Sequence, residues 1–162
     1  MPLHSPEGLA LARAVHVLAV ILWIGGVGVV TTALLPAARR APTPQQGLDL
    51  FLRIEEGFSV QARWSVLLAG LSGFFLLDGL HDFSRILHPG SSWWLLPMIG
   101  VWTLFAVVLF ILEPFVLRQR IPAIIQRDPA GVLRRVTLAH RLLLTFSLLA
   151  AALAAAGAHG GL

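Results

Sequence analysis

Cysteine and lysine are both absent from this chain of 162 residues. Without cysteine the chain has no disulfide, no thiolate metal site, no iron–sulfur cluster and no covalent c-type haem attachment. Any metal chemistry must therefore use histidine, carboxylates or the thioether of Met98. Charged residues are also scarce, at 12% of the chain, whereas a typical soluble domain has about 25%.

Hydrophobic residues are abundant instead, at 57% of the chain, and the mean hydropathy is +0.81. This composition indicates an integral membrane protein built from helices. All twelve basic residues are arginines, and the net charge is +4. Because these arginines lie beside long apolar runs, they report membrane topology and do not indicate nucleic-acid binding.

One stretch without a formal charge covers residues 14–38, between Arg13 and the pair Arg39–Arg40. At about 1.5 Å per residue it is long enough to cross the ~30 Å apolar core of a bilayer. It is longer than the apolar region of a signal peptide, which has about 7–15 residues. We therefore expect it to be retained as the first transmembrane helix, broken at Pro36 by the prolines that follow.

Three further apolar stretches predict an all-α, up-down bundle of four transmembrane helices, forming a single domain over residues 1–162. The second stretch is the least regular, because only residues 64–77 lack a charge and the span must be extended at both ends. Apolar and charged residues alternate with helical spacing over 48–58, which predicts a segment on the membrane surface. The predicted helices cover about 10–35, 62–83, 93–117 and 136–158, and basic loops cover 36–61 and 118–135.

The arginines are divided very unequally between the two sides of this bundle. Only Arg13 and Arg85 fall on the side of the termini, and the other ten lie in or beside the two basic loops. By the positive-inside rule, we expect these loops to face the cytoplasm and both termini to lie outside.

His16 lies inside the first span, where an ionisable side chain is costly and marks a candidate functional site. Trp23 follows seven residues later on the same helical face, and a run of glycines comes after it. Two explanations remain open. His16 either ligates a metal centre or makes an interhelical hydrogen bond to a serine, a threonine or a backbone carbonyl.

The depth of His81 in the second helix makes it the best partner for His16. The face of that helix that carries His81 also carries Phe74 and Gly70, which would admit a flat macrocycle. Further candidates on the same side are Arg13 and Arg85 for haem propionates, and His88 and His159 as metal ligands or as ordinary polar residues.

A second site is predicted in the cytoplasmic half of the third and fourth helices. It comprises Glu113, His140 and Arg141. The alternative is a structural ion pair between Glu113 and Arg141, which would leave no unpaired charge in the membrane.

The segment ARAVHVLAVILWIGGVGVVTTALLP resembles the first helix of small bacterial membrane proteins of the copper resistance protein D (CopD)-like family. The shared features are the early histidine, the tryptophan seven residues on, and the pair Gly25–Gly26. The stretch from Arg53 to Phe58-Ser59, followed by VLLAGLSGFFLL, is similar to the same family. More distantly, the chain resembles HemJ-type four-helix proteins, which also have a first-helix histidine and are thought to carry haem b. Both resemblances imply a bacterial inner membrane protein with a role for His16.

Three functions follow as hypotheses. The first is a haem b protein of the cytochrome b type, with His16 and His81 as axial ligands. It would transfer electrons between quinone or a periplasmic redox partner and an outer-face acceptor, as a membrane oxidoreductase or its haem subunit. The second is copper binding or transport by the outer-face histidines. The third is a non-catalytic subunit that forms a homo-oligomer or joins a larger complex.

Overall fold

The computed structural model describes residues 5–79 and 93–158 of the chain. Within these two ranges it has no strand, and four helices are long and apolar enough to cross a membrane. These findings confirm the predicted all-α four-helix bundle, as in a multi-pass membrane protein. Helix α1 is Pro6–Arg39, α2 is Pro44–Gly79 and α4 is Pro129–Ala158. Helix α3 is Leu95–Val107, continued by a π-helical part, Val108–Leu117, and an α-helical part, Arg118–Arg127.

Helix α1 continues past Pro36, where the sequence predicted a break. A π-helical turn, Val30–Leu34, ends two residues before this proline. The N–H of Leu35 donates to the carbonyl of Val30, five residues earlier. The wider turn accommodates a residue that has no N–H to donate and whose ring would clash in a regular helix. Helix α1 thus continues for three residues beyond Pro36 and ends at Arg39.

Helix α2 begins at Pro44 and is continuous over most of the region predicted as the loop 36–61, including the surface segment predicted over 48–58. The loop prediction is wrong over residues 44–61, because they are helical. The helical spacing predicted over 48–58 is confirmed, and the apolar side of this segment packs into the bundle. Leu48 and Phe51 are buried with Leu35 of α1 and Leu133 of α4. Thr43 caps the helix by accepting a hydrogen bond from the N–H of Gln46 at 3.3 Å.

Glycine allows α1 and α2 to approach each other closely near Gly47. A Cβ atom at this position would lie 2.2 Å from the carbonyl oxygen of Ala38, so no other residue fits without a backbone shift. The connection between the two helices is accordingly short, at residues 40–43.

The predicted loop 118–135 is also mostly helical. Helix α3 extends through Arg118–Arg127, and α4 begins at Pro129. Asp128 separates the two, and its Oδ1 accepts a hydrogen bond from the N–H of Gly131 at 2.8 Å, which is an N-cap. The arginines of this region therefore lie on helices.

Contacts between neighbouring helices show that they are antiparallel. On α1 and α2, His16 contacts Ala69 while Ala38 lies against Gly47. The ring of Trp94 packs against the backbone of Gly157, which brings the start of α3 to the end of α4. We call the end that holds Pro6, Gly79, Leu95 and Ala158 the terminal end, and the end that holds Arg39, Pro44, Arg127 and Pro129 the arginine-rich end.

Candidate functional sites

His16 makes an interhelical hydrogen bond, which was one of the two explanations predicted for it. Its Nδ1 lies 3.0 Å from the carbonyl oxygen of Ala69 and 3.1 Å from Oγ of Ser72. A carbonyl oxygen can only accept a hydrogen bond. Nδ1 therefore carries the ring proton and donates a hydrogen bond to the carbonyl of Ala69. In the neutral ring, Nε2 then keeps its lone pair. The bond fixes the tautomer and the orientation of the imidazole, and it leaves a ligand role for Nε2 open.

A small cavity of about 70 Å³, the His16 cavity, lies beside this imidazole. Its walls are almost entirely apolar and come from α1, α2 and α3. Met98 is one of the residues that line this cavity together with His16. The lining residues are His16, Trp23, Ala69, Gly70, Gly73, Phe74, Leu77, Met98, Ile99 and Trp102.

The space beside Gly70, which the sequence assigned to a macrocycle, is occupied by the ring of Trp102. A Cβ atom on Gly70 would lie 2.5 Å from Cζ2 of that ring. The indole N–H of Trp102 donates to the carbonyl of Val66 at 2.8 Å, which holds the ring in place. Phe74 meets the same ring edge-on, with centroids 5.8 Å apart, and is half exposed. The remaining cavity beside His16, at about 70 Å³, is smaller than the cavity of about 150 Å³ that holds one benzene molecule in an apolar core.

Several predicted site residues cannot be placed. The candidate ligands His81, His88 and His159, and the candidate propionate partner Arg85, lie outside the described residues. Arg13 lies on the exposed side of α1. In the described part of the chain, no group of three or more histidine, aspartate and glutamate side chains could hold a metal ion.

Glu113 pairs with Arg63 of α2, so the expected ion pair with Arg141 is wrong. The Nη2 of Arg63 lies 2.7 Å from Oε1 of Glu113. Oγ of Ser59 lies 2.9 and 3.0 Å from the two carboxylate oxygens of Glu113. Arg141 is exposed on α4, whereas Arg63 lies on the side of α2 that packs against α3.

Pro114 explains a further contact of Arg63. Proline has no N–H, and in a π-helix that N–H would have paired with the carbonyl five residues earlier, which is Leu109. Nε of Arg63 donates to this carbonyl at 3.4 Å. Arg63 therefore binds both the carboxylate of Glu113 and the backbone carbonyl of Leu109 in the π-helical part of α3.

His140 and Glu113, which the sequence placed in one candidate site, do line the same cavities. Nδ1 of His140 donates to the carbonyl of Val136 at 3.0 Å, and its ring meets Phe51 edge-on at 5.8 Å. A groove of about 620 Å³ opens between α2, α3 and α4 at this level, and it shares Glu55, Ser59, Glu113 and His140 with the cavity described next.

This second cavity, the central cavity, has a volume of about 170 Å³ and is walled by all four helices. Trp23 lies between it and the His16 cavity, with only 1% of its surface exposed. Its ring meets Phe105 edge-on at 4.9 Å. The indole N–H of Trp23 has no hydrogen-bond partner among the described residues.

Sequence reasoning missed the contribution of α2 to this site. Glu55, Ser59 and Arg63 are spaced four residues apart, which places them on one face of a helix. That signal is readable only if α2 is continuous from residue 44, whereas the charge-free run predicts a helix that begins near residue 62.

No family model matches this chain, and neither a curated protein nor a solved structure matches it. The fold therefore defines only the structural class of the protein. It is an all-α bundle of four antiparallel helices that are long and apolar enough to span a membrane. The CopD-like and HemJ-type resemblances stay predictions.

Proposed function

We propose that this chain is a copper-binding protein of the bacterial inner membrane, with His16 as a copper ligand. The observation that carries the proposal is the hydrogen bond from Nδ1 of His16 to the carbonyl of Ala69 at 3.0 Å. Histidines that ligate metals usually donate their other ring N–H in this way, because the bond fixes the tautomer and raises the basicity of the ligating nitrogen.

Met98 supports copper in particular. Met98 and His16 line the same apolar cavity. Imidazole suits copper, and thioether sulfur selects Cu(I) over harder cations. The volume of about 70 Å³ suits a single ion. Two ligands come from the described helices, and His81 is the predicted candidate for another.

The direction of access follows from the proposed orientation. The His16 cavity lies toward the terminal end of the bundle, and by the positive-inside rule we expect that end to face the periplasm. Copper would therefore reach His16 from the periplasmic side.

Copper binding can be measured directly on the purified chain. Copper-stripped protein in detergent is titrated against a chromogenic Cu(I) chelator, and the metal is counted. We expect one Cu(I) per wild-type chain, loss of binding in His16→Ala, and weaker binding in Met98→Leu, which conserves volume but removes sulfur. His140→Ala is the matched control and should bind normally. A wild-type chain that binds no copper, or an unchanged affinity in His16→Ala, contradicts the proposal.

A haem b protein of the cytochrome b type is the second candidate. It is favoured by the same bond, since a haem-ligating histidine also leaves Nε2 for the iron. It requires Trp102 to leave Gly70, because the described residues leave too little space beside His16. An absorption spectrum of the same preparation separates the two candidates, because a Soret band that His16→Ala abolishes supports haem, and a featureless spectrum excludes it.

A further inference from the structure

The groove between α2, α3 and α4 is large enough to hold an organic molecule. Its volume is about 620 Å³, and small-molecule sites usually have about 300–1,000 Å³. Most of its wall is apolar, with Leu52 and Val60 from α2, Ile125 from α3 and Val136 from α4. A molecule that fills the groove must therefore offer apolar surface to these side chains.

The described residues that line the groove carry more negative than positive charge, although the whole chain has a net charge of +4. Four of them are acidic, namely Asp49, Glu55, Glu56 and Glu113, and one is an arginine, Arg63. This arginine is already paired with Glu113 at 2.7 Å. The other three acidic side chains have no cationic partner in the part of the chain that the structure describes.

Glu55 lies deep in the bundle, beside the charge-free stretch of α1. Gly47 of α2 packs against Ala38, and the side-chain amide of Gln61 donates to the carbonyl of Leu22 at 3.2 Å. Between these two contacts, Glu55 is about 12 Å further along α2 than Gly47, at 1.5 Å per residue. In a membrane, a carboxylate at this depth is costly unless it is paired. Glu55 is partly exposed to the groove and makes no hydrogen bond or ion pair with the described residues.

We propose that this groove binds a lipophilic organic cation, with the charged centre near Glu55 and the apolar substituents against the walls. An inorganic cation would pair with the carboxylate but leave the apolar walls uncovered. A neutral apolar molecule would cover the walls but leave Glu55 without a counter-charge. The cation would enter at the arginine-rich end, where Asp49 lines the groove near the start of α2.

The groove is separate from the proposed copper site. Among the described residues, none lines both the groove and the His16 cavity. Binding of the cation and binding of copper can therefore be measured, and can fail, independently.

Protonation is the competing way to remove the charge of Glu55. A proton needs neither the volume of the groove nor its apolar walls, and it gives no preference between organic ligands. A comparison of a cation with a neutral molecule of similar shape separates the two cases.

The test is a calorimetric titration of the full chain in lipid nanodiscs with methyltriphenylphosphonium, with empty nanodiscs subtracted. Triphenylphosphine oxide is the matched ligand, because it has the same phenyl rings around phosphorus but no net charge. We expect saturable binding of the phosphonium to wild type and about tenfold weaker binding of the oxide. Glu55→Gln, which keeps the shape of the side chain and removes its charge, should weaken phosphonium binding about tenfold as well.

Two variants are the controls for this titration. Glu7→Gln removes a carboxylate that is exposed in the first turn of α1, at the opposite end of the bundle, and His16→Ala changes the proposed copper ligand. Both should bind the phosphonium with the affinity of wild type.

Three outcomes overturn the proposal: no saturable binding of the phosphonium to wild type, equal affinities of wild type for the phosphonium and the oxide, or equal phosphonium affinities of wild type and Glu55→Gln. The comparison of the two ligands uses only the wild-type chain, so it decides even if Glu55→Gln fails to fold.

Discussion

Arg63 and Glu113 form an ion pair of 2.7 Å between α2 and α3, and the same arginine donates to the carbonyl of Leu109, five residues before Pro114. The two side chains are 29% and 18% exposed. The pair is thus largely removed from solvent, and removing one partner leaves an uncompensated charge inside the bundle.

We expect Arg63→Met and Glu113→Gln each to lower the free energy of unfolding by about 2–4 kcal/mol, somewhat less than the cost at fully buried pairs. The double variant should lose less than the sum, because neither charge remains unpaired. Unfolding in mixed detergent micelles measures all three. Arg141→Met, at an exposed position, should change little; equal losses at Arg63 and Arg141 would contradict the assignment of the pair.

Two glycines of α2 should respond oppositely to alanine. At Gly47 the added Cβ would lie 2.2 Å from the carbonyl of Ala38, so α1 and α2 must separate, and we expect a loss of about 1–3 kcal/mol. At Gly57 no atom lies within 4 Å of the added Cβ, and alanine should stabilise the helix by about 0.5–1 kcal/mol. Thermal unfolding of both variants checks the sign of each effect.

Gly73 connects packing to the proposed copper site. A Cβ atom there would lie 3.1 Å from Cε1 of His16, so the imidazole must shift by a few tenths of an ångström. We expect Gly73→Ala to weaken Cu(I) binding severalfold while the bundle stays folded. Gly100→Ala, where the added Cβ meets open space, is the control. Unaltered copper affinity in Gly73→Ala would argue against ligation by His16 in this orientation.

Apolar run length predicted the four helices, because it depends only on residues close in sequence. It did not predict where α2 begins. Only the 14 residues 64–77 lack a charge, whereas the helix starts at Pro44 and carries charged residues on a face that lies inside the bundle. The pattern Pro42-Thr43-Pro44 could have indicated that start, as threonine caps and proline favours the first helical turn.

The partners of the ionisable residues were harder to predict than the helices. Sequence spacing made Arg141 as good a partner for Glu113 as Arg63, and only the rotation of α2 against α3 decides between them. The sequence predicted an interhelical hydrogen bond as one explanation for His16, but it could not predict the acceptor. That acceptor is Ala69 because of the depth at which α1 and α2 pack against each other.

The orientation of the bundle in the membrane is directly measurable, because the chain has no native cysteine. Glu7, exposed in the first turn of α1, marks the terminal end, and Thr43, exposed between α1 and α2, marks the arginine-rich end. Because arginines concentrate at the latter end, we expect a membrane-impermeant maleimide to label Glu7→Cys in intact cells and Thr43→Cys only after permeabilisation. The reverse pattern would place the His16 cavity on the cytoplasmic side, and the proposed copper ion would then have to arrive from the cytoplasm.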